Sequence, residues 1–319
     1  MRDLSKDPKP LHEVLEKALG PDGPPTDLQR LSAGASNAIW SFQYGSPARS
    51  YIVRIAAPGT NRVPITTEAA GMEAARAVGV PVPVIVAAAE DTGPFGRPYM
   101  IMEHVRGETL ARHILRDEQF EIARRNFATQ CGTILARLRG AEHQHLVGLE
   151  NEDQLQRWTD IFRLADVPVP TFEWALRYLQ KNRPPPGDPT LVHGDFRLGN
   201  LIIGPERIEA VLDWELLHLG DPLEDLGWVC ARPWRFRGPK PVGGMGEYDD
   251  LVSAYERESG TSVDREELRW WEVFATWRWG IICVLQAARH LTGSERSVEL
   301  ATIGRRVAET ELDLLDCVP

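Results

Sequence analysis

Short apolar runs separated by turn residues dominate the first hundred positions of the chain. The runs alternate apolar and polar side chains, as strands with one buried face do, and the connectors are rich in glycine, proline and serine. This pattern predicts five strands, at 28–31, 38–44, 50–55, 84–89 and 98–103. Two helices are also expected: an amphipathic helix at 11–19 that ends at Gly20, and a helix at 66–78.

The pattern becomes helical beyond residue 110. Apolar residues recur there at steps of three and four, which places six of them on one face of a long helix: Phe120, Ala123, Phe127, Cys131, Ile134 and Leu138. Further helices are expected at 154–165, 171–180, 264–291 and 294–315. The larger, carboxyl-terminal part is therefore predicted to be mainly helical, with one short hairpin at 201–203 and 208–212.

Polar residues around this hairpin suggest chemistry. His193-Gly194-Asp195 follows a short apolar strand, and Asn200 enters the next strand five positions later. Asp213 follows the second hairpin strand, so it returns to the same edge as Asn200. Asp195 can accept a proton from an attacking hydroxyl group. The oxygens of Asn200 and Asp213 suit magnesium, which proteins usually hold through only one or two groups.

HGDFRLGN at 193–200, DWE at 213–215 and GDPLEDL at 220–226 resemble the catalytic and metal loops of the aminoglycoside phosphotransferase and choline kinase families, distant relatives of protein kinases. The resemblance implies a bilobal, protein-kinase-like α+β fold. A small N-lobe (1–103) would contain an antiparallel sheet and one helix, and a larger C-lobe (104–319) would be mainly helical. Such proteins are kinases that use ATP, or alternatively GTP, together with Mg²⁺.

The same resemblance assigns roles to four residues. It implies that Asp195 is the catalytic base, and that Asn200 and Asp213 hold Mg²⁺. Arg197 stands two positions after the base, as in the protein-kinase signature, and is expected to share the charge of the transferred group.

Nucleotide-binding residues are expected in the N-lobe. The connector SAGASN lies between the first two strands, where related kinases hold nucleotide phosphates, and it marks Gly34, Ser36 and Asn37. From composition alone, this connector is an ordinary hairpin turn. Arg54 on the third strand and Glu68 on the next helix match the kinase lysine–glutamate pair, with a planar arginine in place of lysine. Taken singly, both are surface charges.

The link between the lobes is expected at 103–105, directly after the fifth strand. Related kinases bind the nucleotide base there, so backbone groups of Glu103 and Val105 are predicted to contact it. Gly107 then gives the chain the freedom to cross over.

Five polar residues near these motifs have structural interpretations. His193 and Asp225 are expected to brace the catalytic loop, and Asp221 and Glu224 to form a capping box at the start of a helix. Glu215 either supports the metal site or bonds to the neighbouring loop, and the two interpretations are equally good.

Composition restricts the protein classes that fit. The net charge of −10 argues against a nucleic-acid partner, because phosphate backbones are bound by basic surfaces. The four cysteines are scattered without a CxxC pair, which indicates neither a zinc site nor a disulfide framework. The amino terminus is charged and no apolar run approaches membrane-spanning length, so we expect a cytoplasmic protein without membrane contact. The sequence indicates no oligomeric state.

The sequence leaves the acceptor open. An aminoglycoside, a choline-like amine, a sugar and a hydroxyacyl thioester all remain; GDPLEDLGW resembles a branch whose members occur beside acyl-CoA dehydrogenase domains. Most tryptophans are expected in the core, with Trp234 and Trp279 as candidates for an acceptor pocket that binds a quaternary ammonium group or stacks on a ring. The stretch 232–250, rich in glycine and basic residues, is either a mobile lid or a disordered loop.

Two other functions are alternatives to a small-molecule kinase. Arginine at position 54 suggests a nucleotide-binding pseudokinase that regulates a partner, whereas the intact Asp195, Asn200 and Asp213 argue against it. A protein kinase is disfavoured, because no DFG or APE-type activation segment follows Asp213.

Overall fold

The computed structural model describes residues 4–31, 37–56, 63–90 and 93–318. The amino-terminal part contains α1 (Lys9–Leu19), β1 (Thr26–Arg30), β2 (Asn37–Tyr44), β3 (Arg49–Ala56), α2 (Ile65–Ala77), β4 (Ile85–Ala89) and β5 (Tyr99–Glu103). The strands form one antiparallel sheet of order β1-β2-β3-β5-β4. All five predicted strands and both predicted helices are confirmed, with small shifts at their ends.

Alternation along β3 gives the sheet two different faces. Tyr51 and Val53 belong to an apolar core that also contains Leu11 of α1. Ile52 and Arg54, at the intervening positions, line a cleft between the sheet and the rest of the protein. Because successive side chains of a strand lie on opposite faces, one face of the sheet packs while the other is available for a ligand.

The chain leaves the sheet at Glu103 and crosses to the helical part through a tight passage at Gly107. A Cβ atom on Gly107 would lie 2.4 Å from Ile202 Cγ2 and 2.8 Å from the carbonyl oxygen of Ile203, so only glycine fits. Directly afterwards, Glu108 and Ile203 exchange two backbone hydrogen bonds of 2.9 Å. The connection is therefore attached to the helical part from residue 108 onward.

Nine helices in the described residues make up most of the carboxyl-terminal part: α3 (Ala111–Arg116), α4 (Glu121–Arg139), α5 (Gln154–Ala165), α6 (Pro170–Lys181), α7 (Leu223–Cys230), α8 (Tyr248–Ser259), α9 (Arg265–Leu291), α10 (Val298–Gly304) and α11 (Val307–Cys317). Helix α9 is central, because α5, α6, α7, α10 and α11 all pack against it, while α4 packs against α8.

Two small antiparallel strand pairs lie between α6 and α7. They pair β6 (Thr190–Val192) with β9 (His218–Gly220), and β7 (Leu201–Ile203) with β8 (Ile208–Val211). The β7–β8 hairpin was predicted, whereas β9 was not. A small antiparallel sheet joined to a larger helical part confirms the expected α+β, kinase-like fold.

The predicted single helix at 294–315 is wrong. The chain forms α10 and α11 instead, with a break after Gly304. Arg305 and Arg306 donate hydrogen bonds to carbonyl groups three residues earlier, which ends α10 in a tight turn. Gly304 is the last residue of α10, and glycine is a weak helix former. The helix therefore ends at this glycine, where the tight turn begins.

The stretch 232–250 is packed in the structure, in place of the expected lid or disordered loop. It begins with a short 3₁₀ helix at Arg232–Arg235, and residues 242–246 are buried. Gly243 and Gly246 lie against α4, where an added Cβ would come within 2.5 Å of Phe127 and 2.4 Å of Ala128. Glycine allows this close approach, so here it marks packing.

Within the described ranges, none of the helices combines the length and apolar character needed to cross a membrane. All four cysteines are buried with free thiols, and burial raises the pKa of the Cys131 thiol well above its usual value.

Candidate active site

Asp195 lies in the loop between β6 and β7, and both of its carboxylate oxygens accept hydrogen bonds. Oδ1 accepts from Arg197 Nε (3.1 Å) and from the indole Nε1 of Trp228 (2.8 Å). Oδ2 accepts from Asn200 Nδ2 (2.6 Å). These donors hold the partly buried carboxylate in one orientation. Trp228 was not identified from the sequence as a partner of Asp195, although it ends the GDPLEDLGW stretch.

Buried groups next to Asp195 fix the backbone of this loop. Asp225 accepts hydrogen bonds from the backbone N–H groups of His193 (2.7 Å) and Gly194 (3.0 Å). The Nδ1 atom of His193 accepts from the Asp195 backbone, so Nε2 carries the proton and donates to the carbonyl of Leu212 (2.9 Å). Burial lowers the pKa of His193, which favours the neutral ring that this pattern requires. The structure thus places both expected braces at the loop.

A buried arginine on α9 supports the same loop. Arg278 donates to the carbonyl of Gly194 (3.0 Å) and forms an ion pair with Glu224 (2.9 Å). Its guanidinium also lies 4.4 Å from the ring centroid of Trp228. Arg278 was missed from the sequence. The available signal was a single charge inside the apolar run 273–283, because a buried charge requires a partner.

Glu224 forms two buried contacts, and its part in a capping box stays a prediction. Its carboxylate is buried and bonds to Arg278 (2.9 Å) and to His218 Nε2 (3.0 Å). Asp221 does cap α7, because it accepts a hydrogen bond from the backbone N–H of Leu223 (2.8 Å).

Asn200 and Asp213 meet at the open end of the β7–β8 hairpin, opposite its turn. The Leu212 N–H donates to the carbonyl of Asn200 (2.8 Å), which fixes the two chain segments side by side. The side-chain N–H group of Asn200 is bonded to Asp195, so its Oδ1 is the atom left for a cation. Asp213 has a left-handed backbone (φ 64°), and both side chains line the cleft. The structure brings the two residues together, as their spacing predicts.

The charges around Asp213 favour a bound cation. Burial and then the negative charge of Asp195 raise the pKa of the Asp213 carboxyl, while the positive charges of Arg54 and Arg197 oppose this rise. Burial, and then the charge of Asp213, raises the pKa of Glu215 to about 7. Glu215 also lines the cleft. Carboxylate and amide oxygens in a negatively charged setting suit a hard divalent cation.

Arg54 of β3 and Glu68 of α2 form a buried ion pair that lines the same cleft. Burial raises the pKa of Glu68, and the guanidinium of Arg54 opposes that rise. Within the described residues, Arg54 Nε is buried and has no hydrogen-bond partner. A buried donor without a partner is costly, so this atom suits an anionic ligand. The pairing agrees with the prediction made from strand and helix position.

The cleft has a volume of about 700 Å³. Its lining includes Asn37, Arg54, Glu68, Glu103, Val105, Asn200 and Asp213. The backbone N–H of Val105 makes no hydrogen bond to other described residues and is available to a ligand, whereas the N–H of Glu103 donates to Val84 (2.9 Å). Gly34 and Ser36, expected at the phosphates, lie outside the described residues. The remaining predicted nucleotide-binding residues therefore share one cavity.

A profile described as the phosphotransferase enzyme family matches residues 27–271, which is most of the chain and contains every part of this cleft. The chain belongs to the phosphotransferase enzyme family.

Relatives of this phosphotransferase include much longer proteins. It is 33% identical over 223 residues to acyl-CoA dehydrogenase family member 10 of Mus musculus, covering 65% of this chain and 20% of the relative. It is 27% identical over 318 residues to acyl-CoA dehydrogenase family member 11 of Homo sapiens, covering 90% of this chain and 40% of the relative. The chain thus spans less than half the length of these relatives.

Solved structures with the same fold cover nearly the whole phosphotransferase. A protein of Ralstonia eutropha JMP134 that has been assigned as an aminoglycoside phosphotransferase has a TM-score of 0.77 and 24% identity, over 98% of both chains. A choline/ethanolamine kinase family protein of Mesorhizobium loti has a TM-score of 0.65 and 17% identity, over 99% of both. Aminoglycoside phosphotransferase APH(4)-Ia in complex with ADP and hygromycin B has a TM-score of 0.64 and 16% identity, over 97% of both. At these identities the similarity establishes the fold.

Trp234 and Trp279, the candidates for an aromatic acceptor pocket, are packed against arginines of the phosphotransferase itself. Both side chains are buried and pack in series with Trp228, at centroid distances of 5.3 and 4.7 Å. The guanidinium of Arg197 lies 4.6 Å from the ring centroid of Trp234, and that of Arg306 lies 5.3 Å from Trp279. The protein's own arginines thus take the position that a cationic ligand would need. The tryptophans instead support Arg197 beside Asp195.

Proposed function

We propose that this phosphotransferase transfers the terminal phosphoryl group of ATP to a hydroxyl group of a small molecule. One observation carries the proposal: Asn200, Asp213 and the Arg54–Glu68 ion pair line one cleft, with Asp195 hydrogen-bonded to Asn200. The sheet part would act as an N-lobe (1–103) that holds the nucleotide, and the helical part as a C-lobe (104–319) that holds the acceptor.

Asp195 is the catalytic base in this proposal. Its carboxylate takes the proton of the acceptor hydroxyl while the hydroxyl oxygen bonds to the γ-phosphorus, and the bond from that phosphorus to the bridging oxygen breaks, releasing ADP. Hydrogen bonds from Trp228 and Asn200 hold the carboxylate in place, which supports alignment with the acceptor. Arg197 adds positive charge beside the transferred group.

Asn200 Oδ1 and the Asp213 carboxylate would hold Mg²⁺. Two protein ligands suffice, because magnesium commonly completes its coordination with water and substrate phosphates. When bound, the ion neutralises charge on the phosphates and orients them for in-line transfer. Burial and then the negative charge of Asp195 raise the pKa of Asp213, and a cation at that position would offset both effects, which supports this assignment.

The nucleotide would lie along the N-lobe wall of the cleft. Arg54, fixed by Glu68 and with a free Nε, would bind the phosphates. The free N–H of Val105, with the backbone of neighbouring Glu103, would bind the base. Asn37 lines the cleft at the start of β2, which supports a phosphate-binding role for the loop that also contains Gly34 and Ser36.

The complexes of APH(4)-Ia, which has the same fold, also support this proposal, because they contain ADP or AMP-PNP together with hygromycin B. The acceptor of the present protein would be an aminoglycoside-like, choline-like, sugar or hydroxyacyl thioester molecule. The names of the acyl-CoA dehydrogenase relatives favour the last class.

Titration calorimetry of the purified protein with ATP and GTP, each with Mg²⁺ or with EDTA, tests the nucleotide site. We expect at least about tenfold tighter binding with Mg²⁺, corresponding to ~1.4 kcal/mol or more. Asp213→Asn should bind each nucleotide almost equally with Mg²⁺ and with EDTA, because the substitution removes the charged metal ligand. Wild-type binding that does not depend on Mg²⁺ would contradict the metal assignment, and no binding would contradict the nucleotide site.

Nucleotide turnover measured against a panel of aminoglycosides, choline, sugars and hydroxyacyl thioesters then tests the reaction. Stimulation of ADP release by an acceptor, with a phosphorylated product in mass spectrometry, is the expected outcome. Nucleotide binding without turnover on the whole panel would favour the regulatory pseudokinase instead.

Two substitutions of Arg54 separate its charge from its shape. Arg54→Met should lower kcat/KM for ATP by about 10²–10³-fold, since it removes a preorganised donor to the phosphates. Arg54→Lys should cost only about tenfold, because the charge is kept while the planar fork is lost. The measurement is steady-state kinetics at varied ATP. Equal losses in both variants would mean that the fork geometry, and not the charge, is essential.

A further inference from the structure

A second cavity of about 460 Å³ lies on the helical part, between the α3–α4 corner and residues 236–245. Its lining carries five basic side chains, from Arg116, Arg124, Arg125, Arg237 and Lys240, and one acidic side chain, from Glu121. This excess of positive charge stands out in a chain whose net charge is −10. A concave surface of this kind attracts anions and concentrates them.

Two of the basic side chains are available for a ligand. Arg124 donates to the carbonyls of Ile114 (2.7 Å) and Asp117 (2.8 Å), so it is committed to the fold. Arg125 pairs with Glu121 (2.8 Å), and Lys240 pairs with Glu247 (3.3 Å).

Arg116 and Arg237, by contrast, form no ion pair with any described residue. Both are exposed to the cavity that they line. Arginine presents a planar fork that matches a phosphate group, so this pair can bind an oxyanion directly.

The backbone at Phe236 and Arg237 is held in an unusual conformation. Both residues are left-handed (φ 48° and 67°), although neither is glycine. Such a conformation is unfavourable for a residue other than glycine and persists where the surrounding structure imposes it, commonly at ligand sites. The result is an exposed aromatic ring and a free guanidinium, side by side at one cavity: Phe236 is 40% exposed.

This cavity is connected to the active site through a short segment. Trp234 stacks with Arg197, which donates to Asp195. Arg237 follows Trp234 by three residues, so their Cα atoms are separated by at most about 11 Å. Residues 234–237 therefore join the aromatic ring beside Arg197 to a guanidinium at the cavity, which relates the cavity to the active site.

We propose that this cavity is an anion subsite that binds a phosphate-type group on the tail of the acceptor, with Arg116 and Arg237 as its ligands. The inference rests on the proposed function and adds that the acceptor carries an anionic group. The aromatic faces of Trp234 and Trp279, which already pack against arginine, argue in the same direction against a cationic acceptor.

Methionine methyl groups provide a separate reporter for each site. Met245 lines the anion subsite, whereas Met72 and Met102 line the nucleotide cleft. The protein would be labelled with ¹³C at its methionine methyl groups and titrated with inorganic phosphate, with MgADP present at saturation and chloride balancing the ionic strength. We expect a saturable shift of the Met245 signal, with the Met72 and Met102 signals unchanged after MgADP has bound.

A charge-matched pair of variants completes the experiment. Arg116→Gln/Arg237→Gln should weaken the phosphate titration at Met245 at least about tenfold, since it removes both free guanidinium groups. Arg112→Gln/Arg257→Gln removes the same charge from exposed positions outside the cavity and should leave the titration unchanged. No Met245 shift in the wild type, or equal weakening in both variants, would overturn the subsite. Failure of MgADP to shift Met72 and Met102 would instead count against the proposed function.

Discussion

Asp195→Ala is expected to lower kcat by about 10²–10⁴-fold, the usual contribution of a positioned general base. The dissociation constant of MgATP should stay within about threefold of the wild-type value, because the proposed nucleotide contacts come from other residues. Steady-state kinetics with the acceptor found in the panel, combined with calorimetry, measures both quantities on the same protein.

Two controls make this result decisive. Asp188→Ala removes an exposed carboxylate in the segment before β6 and should leave kcat unchanged. Asp195→Asn keeps the side-chain volume and should be as impaired as Asp195→Ala, since an amide cannot take the proton. Normal turnover in either Asp195 variant would remove the base assignment. Loss of MgATP binding together with turnover would mean that Asp195 maintains the cleft and does not act on the acceptor.

Arg278→Met is expected to lower the free energy of unfolding by about 3–5 kcal/mol, the usual cost of breaking a buried ion pair from one side. The Arg278 and Glu224 side chains are 1% and 2% exposed, so water cannot replace the lost guanidinium. The Gly194 carbonyl loses its donor as well. Urea denaturation followed by circular dichroism at 25 °C measures the change.

The surface pair Arg265–Asp249 offers a matched comparison, because the Asp249 side chain is 89% exposed. Arg265→Met should change the unfolding free energy by only about 0–1 kcal/mol. A combined Arg278→Met/Glu224→Gln variant should recover part of the loss, since no buried carboxylate is then left without its guanidinium. Similar stabilities for Arg278→Met and Arg265→Met would show that the buried pair is not a stabilising element.

The parts of the candidate site that were predicted are local in sequence. Asn200 and Asp213 are joined by a single hairpin, so their spacing and the strand pattern are enough to place them together. Arg54 and Glu68 lie on adjacent elements of the sheet part, and their pairing follows from position in the same way.

Residues that were missed or misplaced depend on distant packing. Trp228 contacts Asp195 from 33 positions away, and Arg278 contacts Gly194 from 84 positions away. Neither separation leaves a periodic signal in the chain. The glycines of the 232–250 stretch are a similar case. The composition suggests a flexible segment, but these glycines pack closely against Phe127 and Ala128, which only the three-dimensional structure shows. Packing partners distant in sequence therefore decided each of these outcomes.

The attachment of Glu108 to Ile203 has a consequence for how the cleft can open. Residue 108 is fixed to the helical part and β5 ends at Glu103, so a rotation of the sheet about residues 104–107 would also have to break the hydrogen bond from Val211 to Pro81 (2.8 Å), which joins the two parts. Displacement in such a rotation grows with distance from the axis. Val105 lies on the axis, whereas Arg54 pairs with Met100, three residues along the strand from Glu103 and roughly 10 Å away. Opening of this kind would therefore leave the proposed base-binding edge almost stationary and displace chiefly the proposed phosphate-binding wall.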